Sequence, residues 1–411
     1  MLSKLPKDWN IIPLGQAATI HDSRRVPLSS QQRAKMKGQY PYCGANGIID
    51  YINDYIFDGE YVLLAEDGGY WGAYEKSAYV MNGKFWVNNH AHIIQAINNI
   101  SNNTYLMYTL NYMELNRYIS GTTRGKLNQG VMKNITITLP PLPEQRAIAH
   151  VLSTVRRSIE ATERVIAAAR ELKRSMMKYL FTYGPVPVDQ AEMVKLKETE
   201  VGLVPEGWEV VELDSVIEKP QYGYTETASK DPIGPHFLRI TDIKDGGSVN
   251  WVTVPYCQCN DVDFQKYELE QDDILVARIG ATTGKTFIVN NPPHSVFASY
   301  LIRIRPILKL LTSLYIFYFM NSRLYWSQID AIKGGRLKQG INIPNIRNLL
   351  IPLPGIYEQS QIGNILKNLD IKMEIELRKR ASLEVMFDSL LHHLMTGKVR
   401  VRDLPIPKSL P

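Results

Sequence analysis

Cysteine is nearly absent. Three of 411 residues, Cys43, Cys257 and Cys259, carry a thiol, too few for a disulfide framework and one short of a four-ligand zinc site. The Cys-x-Cys pair reads as packing, and the chain is expected to be cytoplasmic. No apolar run approaches the roughly 20 residues that a membrane-crossing helix needs, and no secretory leader is expected. Charge of one sign is also scarce. Lys and Arg number 47 against 41 Asp and Glu, a net charge of +6, which is compatible with a polyanionic partner.

Catalytic signatures are missing too. Gly280-Ala-Thr-Thr-Gly-Lys-Thr has three residues between its glycines, where a phosphate-wrapping P-loop needs four. The matching loop of the first half, Gly68-Gly-Tyr-Trp-Gly, has neither the lysine nor the hydroxyl. Asn291-Pro-Pro-His resembles the N-P-P-aromatic motif of adenine-N6 methyltransferases, but its fourth residue is His294 and no glycine-rich cofactor fingerprint follows an earlier strand. It reads as a turn before the strand-like run 296–304. Glu171-Leu-Lys173 sits within a helix without an upstream acidic strand residue to share a metal, and reads as a solvated face. His90 and His92 alternate on a strand and His392-His393 are adjacent on a helix, so neither pair has companions for a metal. No active site and no metal are expected in this chain.

What is present is a repeat. The run from Pro141 to Gly184, opening Pro-Leu-Pro-Glu-Gln, returns near the C-terminus as Pro-Leu-Pro-Gly-Ile-Tyr-Glu-Gln and continues to Lys398. Each copy then lacks proline for about ten helical turns, roughly 55–60 Å at 1.5 Å per residue. In the first, Ile148, Leu152, Val155, Ile159, Ile166, Leu172, Met176 and Leu180 form an apolar stripe at three-four spacing. In the second, Leu366, Leu369 and Met373 belong to one stripe, Leu383, Phe387 and Leu390 to another, and Glu376 to Arg380 interrupt them. A lone helix cannot hide such a seam, so the copies are expected to pair as an antiparallel coiled coil.

The flanking segments repeat as well. Pro6-x-x-Trp9 is answered by Pro205-x-x-Trp208, and Tyr61-Val-Leu-Leu-Ala by Asp273-Ile-Leu-Val-Ala, each run leading to a G-x-x-x-G loop. Phe85 onward is aligned with Val296 onward, and Gly125-Lys-Leu-Asn-Gln-Gly with Gly335-Arg-Leu-Lys-Gln-Gly. Segments between these anchors differ, as expected of one scaffold carrying two surfaces. Arg and Lys suit phosphates and guanine, Asn and Gln suit adenine, and hydroxyls suit either. The candidate DNA-binding residues of the first globule are Gly68, Gly69, Tyr70, Trp71, Asn88, Asn89, His90, Arg124, Lys126, Asn128 and Gln129. Those of the second are Arg239, Thr241, Arg278, Thr282, Thr283, Lys285, Ser299, Arg336, Lys338 and Gln339.

With these pieces twice in the same order, the chain resembles the specificity (S) subunits of type I restriction-modification systems. The resemblance implies an α+β fold of two mixed α/β target-recognition domains, separated by two long helices that form an antiparallel coiled coil, with a pseudo-twofold internal repeat. The expected boundaries are 1–142 for domain 1, 143–184 for the central helix, 185–203 for a linker, 204–355 for domain 2, 356–398 for the second helix and 399–411 for a tail. The implied partners are double-stranded DNA, two methylation subunits and restriction subunits, and no membrane. The chain itself would be non-catalytic, with S-adenosylmethionine, ATP and Mg on the partners. Two heads held apart by stiff helices should read a bipartite target, with half-sites about one turn, roughly 34 Å, apart. An adenine-N6 methyltransferase using Asn291–His294, or a sequence-nonspecific DNA scaffold, are the alternatives.

Overall fold

A computed structural model describes residues 5–121, 125–244, 249–334 and 340–401. Two units emerge: unit 1 takes Met1–Arg164 together with Leu377–Pro411, and unit 2 takes Val165–Glu376. Unit 1 is therefore not the contiguous block 1–142, since the last part of the chain completes it.

The strands of unit 1 are β1 (Asn10–Pro13), β2 (Ala18–Ile20), β3 (Lys37–Gly44), β4 (Gly47–Ile52), β5 (Phe57–Asp58), β6 (Tyr61–Ala65), β7 (Ala78–Met81), β8 (Lys84–Val87), β9 (Ala91–Ala96) and β10 (Thr136–Leu139). One antiparallel sheet runs β2-β9-β6-β7 and a second sheet β4-β3-β8-β5, with β3 and β8 parallel; β1 pairs with β10. Every residue of β6, Tyr-Val-Leu-Leu-Ala, is buried. Successive strand side chains face opposite ways. Val62 and Leu64 thus join Ile94 in one core, while Tyr61 and Leu63 join Ile93 and Phe85 in another.

Unit 2 contains β11 (Leu196–Thr199), β12 (Gly202–Pro205), β13 (Glu209–Glu212), β14 (Gln221–Tyr222), β15 (His236–Leu238), β16 (Ile274–Ala277), β17 (Thr286–Ile288), β18 (Ser295–Phe297), β19 (Leu301–Ile304) and β20 (Leu350–Leu353). Its sheet order β14-β19-β16-β17, its parallel β15·β18 pair and its β13·β20 pair repeat the topology of unit 1. The core division repeats also, with Ile274 and Val276 on one side of β16 and Leu275 on the other. The stretch expected to be a linker is structured. A 3-10 turn at Val188–Met193 leads into the antiparallel β11–β12 hairpin, where buried Val204 pairs with Lys197.

Strand pairing corrects two alignments between the halves. Val62 lies opposite Ile94 and Ile274 opposite Ile304, which equates Ile94 with Ile304, one residue away from the alignment of Phe85 with Val296. A one-residue slip exchanges the faces of a strand, so His92 corresponds to Ile302 and Ile93 to Arg303. The Leu127 amide donates to the Glu66 carbonyl at 2.8 Å and the Ile341 amide to the Arg278 carbonyl at 2.9 Å. The counterpart of Lys126-Leu-Asn is therefore Gly340-Ile-Asn, four residues beyond the literal echo at Arg336.

The long helices span Leu142–Tyr183 and Ile356–Met395. In unit 1, Glu144 meets Arg400 and the Arg156 guanidinium lies 4.0 Å over the Phe387 ring. In unit 2, Lys173 Nζ lies 2.6 Å from Asp370 Oδ1, and Gly184 sits beside Glu358. In each unit a step forward along one helix is a step back along the other, which is antiparallel pairing. The buried face of the first helix is Ile148, Leu152, Val155, Ile159, Thr162, Ile166 and Ala169, continuing through half-buried Lys173 and Met176 to Leu180. That alternation of four and three is the heptad seam. Leu172 was expected on it but is 50% exposed, because the register passes through Ala169 and Lys173 instead. On the second helix, Leu366 and Phe387 are buried, and Leu369, Met373, Leu383 and Leu390 are half-buried. Glu376 and Arg380 hold the same spacing and are half-buried, so the charges sit within the seam's register and do not break it.

The Glu-Gln repeat has a physical cause. Gln145 is fully buried at the start of the first helix; its Nε2 donates to the carbonyls of Ile100 and Pro140 at 2.9 and 2.8 Å, and its Oε1 accepts from the Asn102 amide at 3.1 Å. Gln359 repeats this on Leu310, Pro354 and Thr312 at 2.9, 2.9 and 2.8 Å. Each glutamine satisfies three backbone groups that burial would otherwise leave unpaired. Glu144 accepts from Trp9 Nε1 at 3.1 Å and from Arg400, whose guanidinium also holds Asp8. Gly363 allows the second helix to approach Leu314, whose Cβ would lie 2.8 Å from an added methyl. Burial pushes the Cys43 and Cys257 thiols up to about 12, and both act as packing groups.

Leu152→Ala removes a buried seam residue and should lower stability by about 2–5 kcal/mol, whereas Leu172→Ala should change it by no more than about 0.5 kcal/mol. Denaturant unfolding of the two variants checks the register, and equal losses would place the seam elsewhere.

Candidate nucleic-acid interface

In unit 1 the strand ends bring together most of the candidates that are distant in sequence. β6 ends at Ala65, and Glu66 and Asp67 lead into the glycine loop, where Gly68 has φ of 62°. Asp67 bridges to Lys126 as an isolated strand pair, the Glu66 amide donates to the His90 carbonyl at 2.9 Å, and Asn46 Nδ2 donates to the Gly68 carbonyl at 3.0 Å. His90 Nδ1 lies 2.7 Å from Asp67 Oδ1. Between this loop and the tip of the β3–β4 hairpin is an open recess of about 310 Å³, lined by Asn46, Ile48, Ile49, Asp67, Asn88 and His90 among others. Ile48 and Ile49 are 47% and 55% exposed there. Tyr70 is exposed, as are Asn89, Lys126, Asn128 and Gln129, and Gly69 is half-buried.

Beneath the recess lies a group of charged residues that sequence reasoning missed. Asp22 accepts from His92 Nδ1 at 2.6 Å, from the Ile93 amide at 2.9 Å and from Gln129 Nε2 at 2.9 Å. His92 Nε2 donates to the Leu127 carbonyl at 2.7 Å. Glu66 pairs with Arg25 and, at 2.9 Å, with Lys126 Nζ. His92 thus has carboxylate companions after all, since ligand atoms of Asp22, Glu66 and His92 lie within 4.8 Å of one another. Arg25 and Lys126 nonetheless supply the neutralising charge, and both ring nitrogens of His92 are engaged. The group is best described as an ion-pair network that fixes Lys126 and Gln129 from below. Burial opposes ionisation of Asp22, but His92, the Ile93 amide and Gln129 together outweigh it and hold the carboxyl below its ordinary value. Glu66 is lowered in the same way, burial being outweighed by Arg25 and Lys126. No local motif announces the network, because its members come from four separate segments.

In unit 2 the corresponding place is held by Arg278, which follows β16 as Glu66 follows β6. Its amide donates to the Tyr300 carbonyl at 3.1 Å, its guanidinium lies 4.5 Å over the Tyr222 ring, and its Nη1 reaches the Ser299 carbonyl at 3.4 Å. Thr282 and Ser299 are half-buried, and Thr241 and Lys285 are exposed. Arg239 is engaged by Asp242 through two hydrogen bonds of 3.0 and 2.9 Å.

Three candidates are buried and held by the fold. Trp71 is core, closing over Gly125 and donating to the Ala65 carbonyl. Asn88 is buried with its Oδ1 on the His90 amide, and Thr283 turns its hydroxyl back onto the Gly280 carbonyl at 2.8 Å. Aromatic, amide and hydroxyl groups beside glycines looked like recognition groups and are instead what holds the loops. Arg124, Arg336, Lys338 and Gln339 lie outside the described residues. Asn291 forms a turn with φ of 44°, and His294 stacks on Phe264 at 3.9 Å, so the N-P-P segment is occupied structurally. Glu171 pairs with Arg174, while Lys173 belongs to the helix seam.

A family model described as the type I restriction modification DNA specificity domain matches residues 6–170 and again 205–385. The type I restriction enzyme MjaVIII specificity subunit of Methanocaldococcus jannaschii is 25% identical over 418 residues, covering 98% of this chain and 95% of that protein. The crystal structure of the S subunit of a type I restriction-modification system from M. genitalium has a TM-score of 0.69 at 15% identity, over 95% of this chain and 98% of that one. A chain from a structure describing complex assembly and conformational transition of the type I system has a TM-score of 0.51 at 17% identity, over 97% of this chain and all of that one.

Asp22→Asn should destabilise unit 1 by about 3 kcal/mol at neutral pH, since it leaves a buried charge network without one partner. A lowered carboxyl contributes stability that is present above its ordinary value of 3.8 and is lost as pH falls through its lower folded-state value. The gap in thermal midpoint between wild type and variant should therefore persist from neutral pH to about pH 5 and narrow below about pH 4. A gap independent of pH would contradict the network.

Proposed function

The chain belongs to the type I restriction modification DNA specificity family, and from that premise we infer that each of its two units reads one half of a split DNA target. It is a DNA specificity subunit, the recognition component of such a system. The observation that carries the two-half reading is the repetition of one sheet order and one helix attachment in both units, while the residues at equivalent loop positions differ, Glu66 against Arg278. A shared scaffold with unlike surfaces suits recognition of two unlike half-sites.

Methylation, ATP-driven translocation and cleavage are assigned to other polypeptides: two methylation subunits and restriction subunits, which would carry S-adenosylmethionine, ATP and Mg. Seam-distal faces of the long helices, with exposed Ile371, Ile375 and Val385 on the second, favour docking of helical partners there. Among the described residues no helix is long and apolar enough to cross a membrane.

Methylated adenines mapped genome-wide in strains with and without this gene test the proposal. The expected result is one motif with two specified blocks around an unspecified spacer, present only with the gene. A continuous motif, or one that survives deletion, would overturn it.

A further inference from the structure

Four arginines of unit 2 are committed. Arg239 holds Asp242, Arg305 and Arg303 hold Asp273, and Arg347 holds Asp214 through two short hydrogen bonds. Each has its charge balanced within the fold. Arg278 differs. Among the described residues no ion pair engages it; its guanidinium rests on Tyr222, and its one hydrogen bond is the long 3.4 Å contact to the Ser299 carbonyl. Its Nε is buried and unpartnered.

The backbone around it is, in contrast, fully used. The Arg278 amide and carbonyl are paired with Tyr300 and Ile341, and Gly340 packs so closely on the carbonyl that an added Cβ would lie 2.8 Å away. The side chain therefore leaves a rigid strand end and is held flat by an aromatic ring. Beside it lie the exposed Tyr300, the 38% exposed Ile279, and Gly280, whose φ of 78° turns the chain away. A planar cation with unspent donors, fixed in orientation at an exposed loop, matches the paired acceptors O6 and N7 on the major-groove edge of guanine, for which bidentate arginine is the commonest specific partner.

We propose that Arg278 is a specificity-determining residue that reads a guanine in the half-site of unit 2. The inference rests on the reading of unit 2 as a DNA-recognition unit and adds the base and the group that contacts it. In unit 1 the same position holds Glu66, whose charge is consumed by Arg25 and Lys126, so no equivalent guanine contact arises there and the half-sites differ at that point.

The test uses the full chain assembled with its methylation subunits, and duplexes carrying the mapped target. Each base of the second half-site is changed in turn, and each guanine is separately replaced by 7-deazaguanine, which lacks the N7 acceptor. Wild type should lose affinity by roughly tenfold to a hundredfold at one guanine. Arg278→Ala and Arg278→Lys should both lose that discrimination while keeping selection at every other position, since lysine retains the charge but not the flat fork. Three results would overturn the proposal. One is a uniform fall in affinity across all duplexes that Arg278→Lys restores, which means a phosphate contact. Another is unchanged selectivity with only a lower thermal midpoint, which means a structural role. The third is a wild-type complex without sequence preference, which removes the recognition reading itself. With a selective wild type, either of the first two removes the role of Arg278 alone.

Discussion

The apolar seam of the two long helices is the constraint on which the rest depends. A helix of 42 or 40 residues with a single buried stripe has no stable state by itself, and its stripe must be covered. In unit 1 the cover for Ile148, Leu152, Val155 and Ile159 includes Phe387, Leu391 and Leu394, residues more than 200 positions away in the chain. The first recognition unit is thus completed only when the last helix has been made, and Arg400 fastens that late segment to Asp8 and Glu144 near the chain's start. Unit 2 closes within one contiguous span, with Leu180 and Phe181 joining Ile362 and Leu366.

From the seam the attachment passes to the sheets through one buried glutamine per unit. Gln145 and Gln359 each satisfy the chain entering the helix and the loop before a short helix, at Asn102 and Thr312. Their shape and three hydrogen bonds fix where the mixed core sits on the helix. Loop ends beyond that anchor are free to differ. The strand position after β6 and β16 carries Glu66 in one unit and Arg278 in the other, and around each a distinct polar arrangement has grown: a network of Asp22, Arg25, His92 and Lys126 in the first, a ring-supported guanidinium in the second.

Much of this was legible in the sequence. The long helices, their antiparallel pairing and the duplicated order of elements followed from period and repetition, because a heptad stripe and a Pro-Leu-Pro…Glu-Gln lead are local signals. Register was less accessible. Leu172 outranked Ala169 on hydrophobicity, yet small residues fill a close helix contact. The glycine-rich echo at Gly335 outranked Gly340-Ile-Asn on identity, yet the hydrogen bonds of Leu127 and Ile341 decide equivalence. Among the candidate site residues, Trp71, Asn88 and Thr283 are taken up by the fold, since the same residue types that recognise bases also lock glycine loops. The Asp22 network left no trace at all, being assembled from segments as far apart as 22 and 129.

Recognition of a split target requires that each unit carry its own reading surface on a common support. The direct measurement replaces residues 5–139 with the corresponding segment of a family member of different target, leaves both long helices intact, and maps the methylated motif of the hybrid. One block of the motif should change to that of the donor while the spacer and the other block stay as they were. A hybrid that folds and assembles yet changes both blocks, or neither, would contradict the claim.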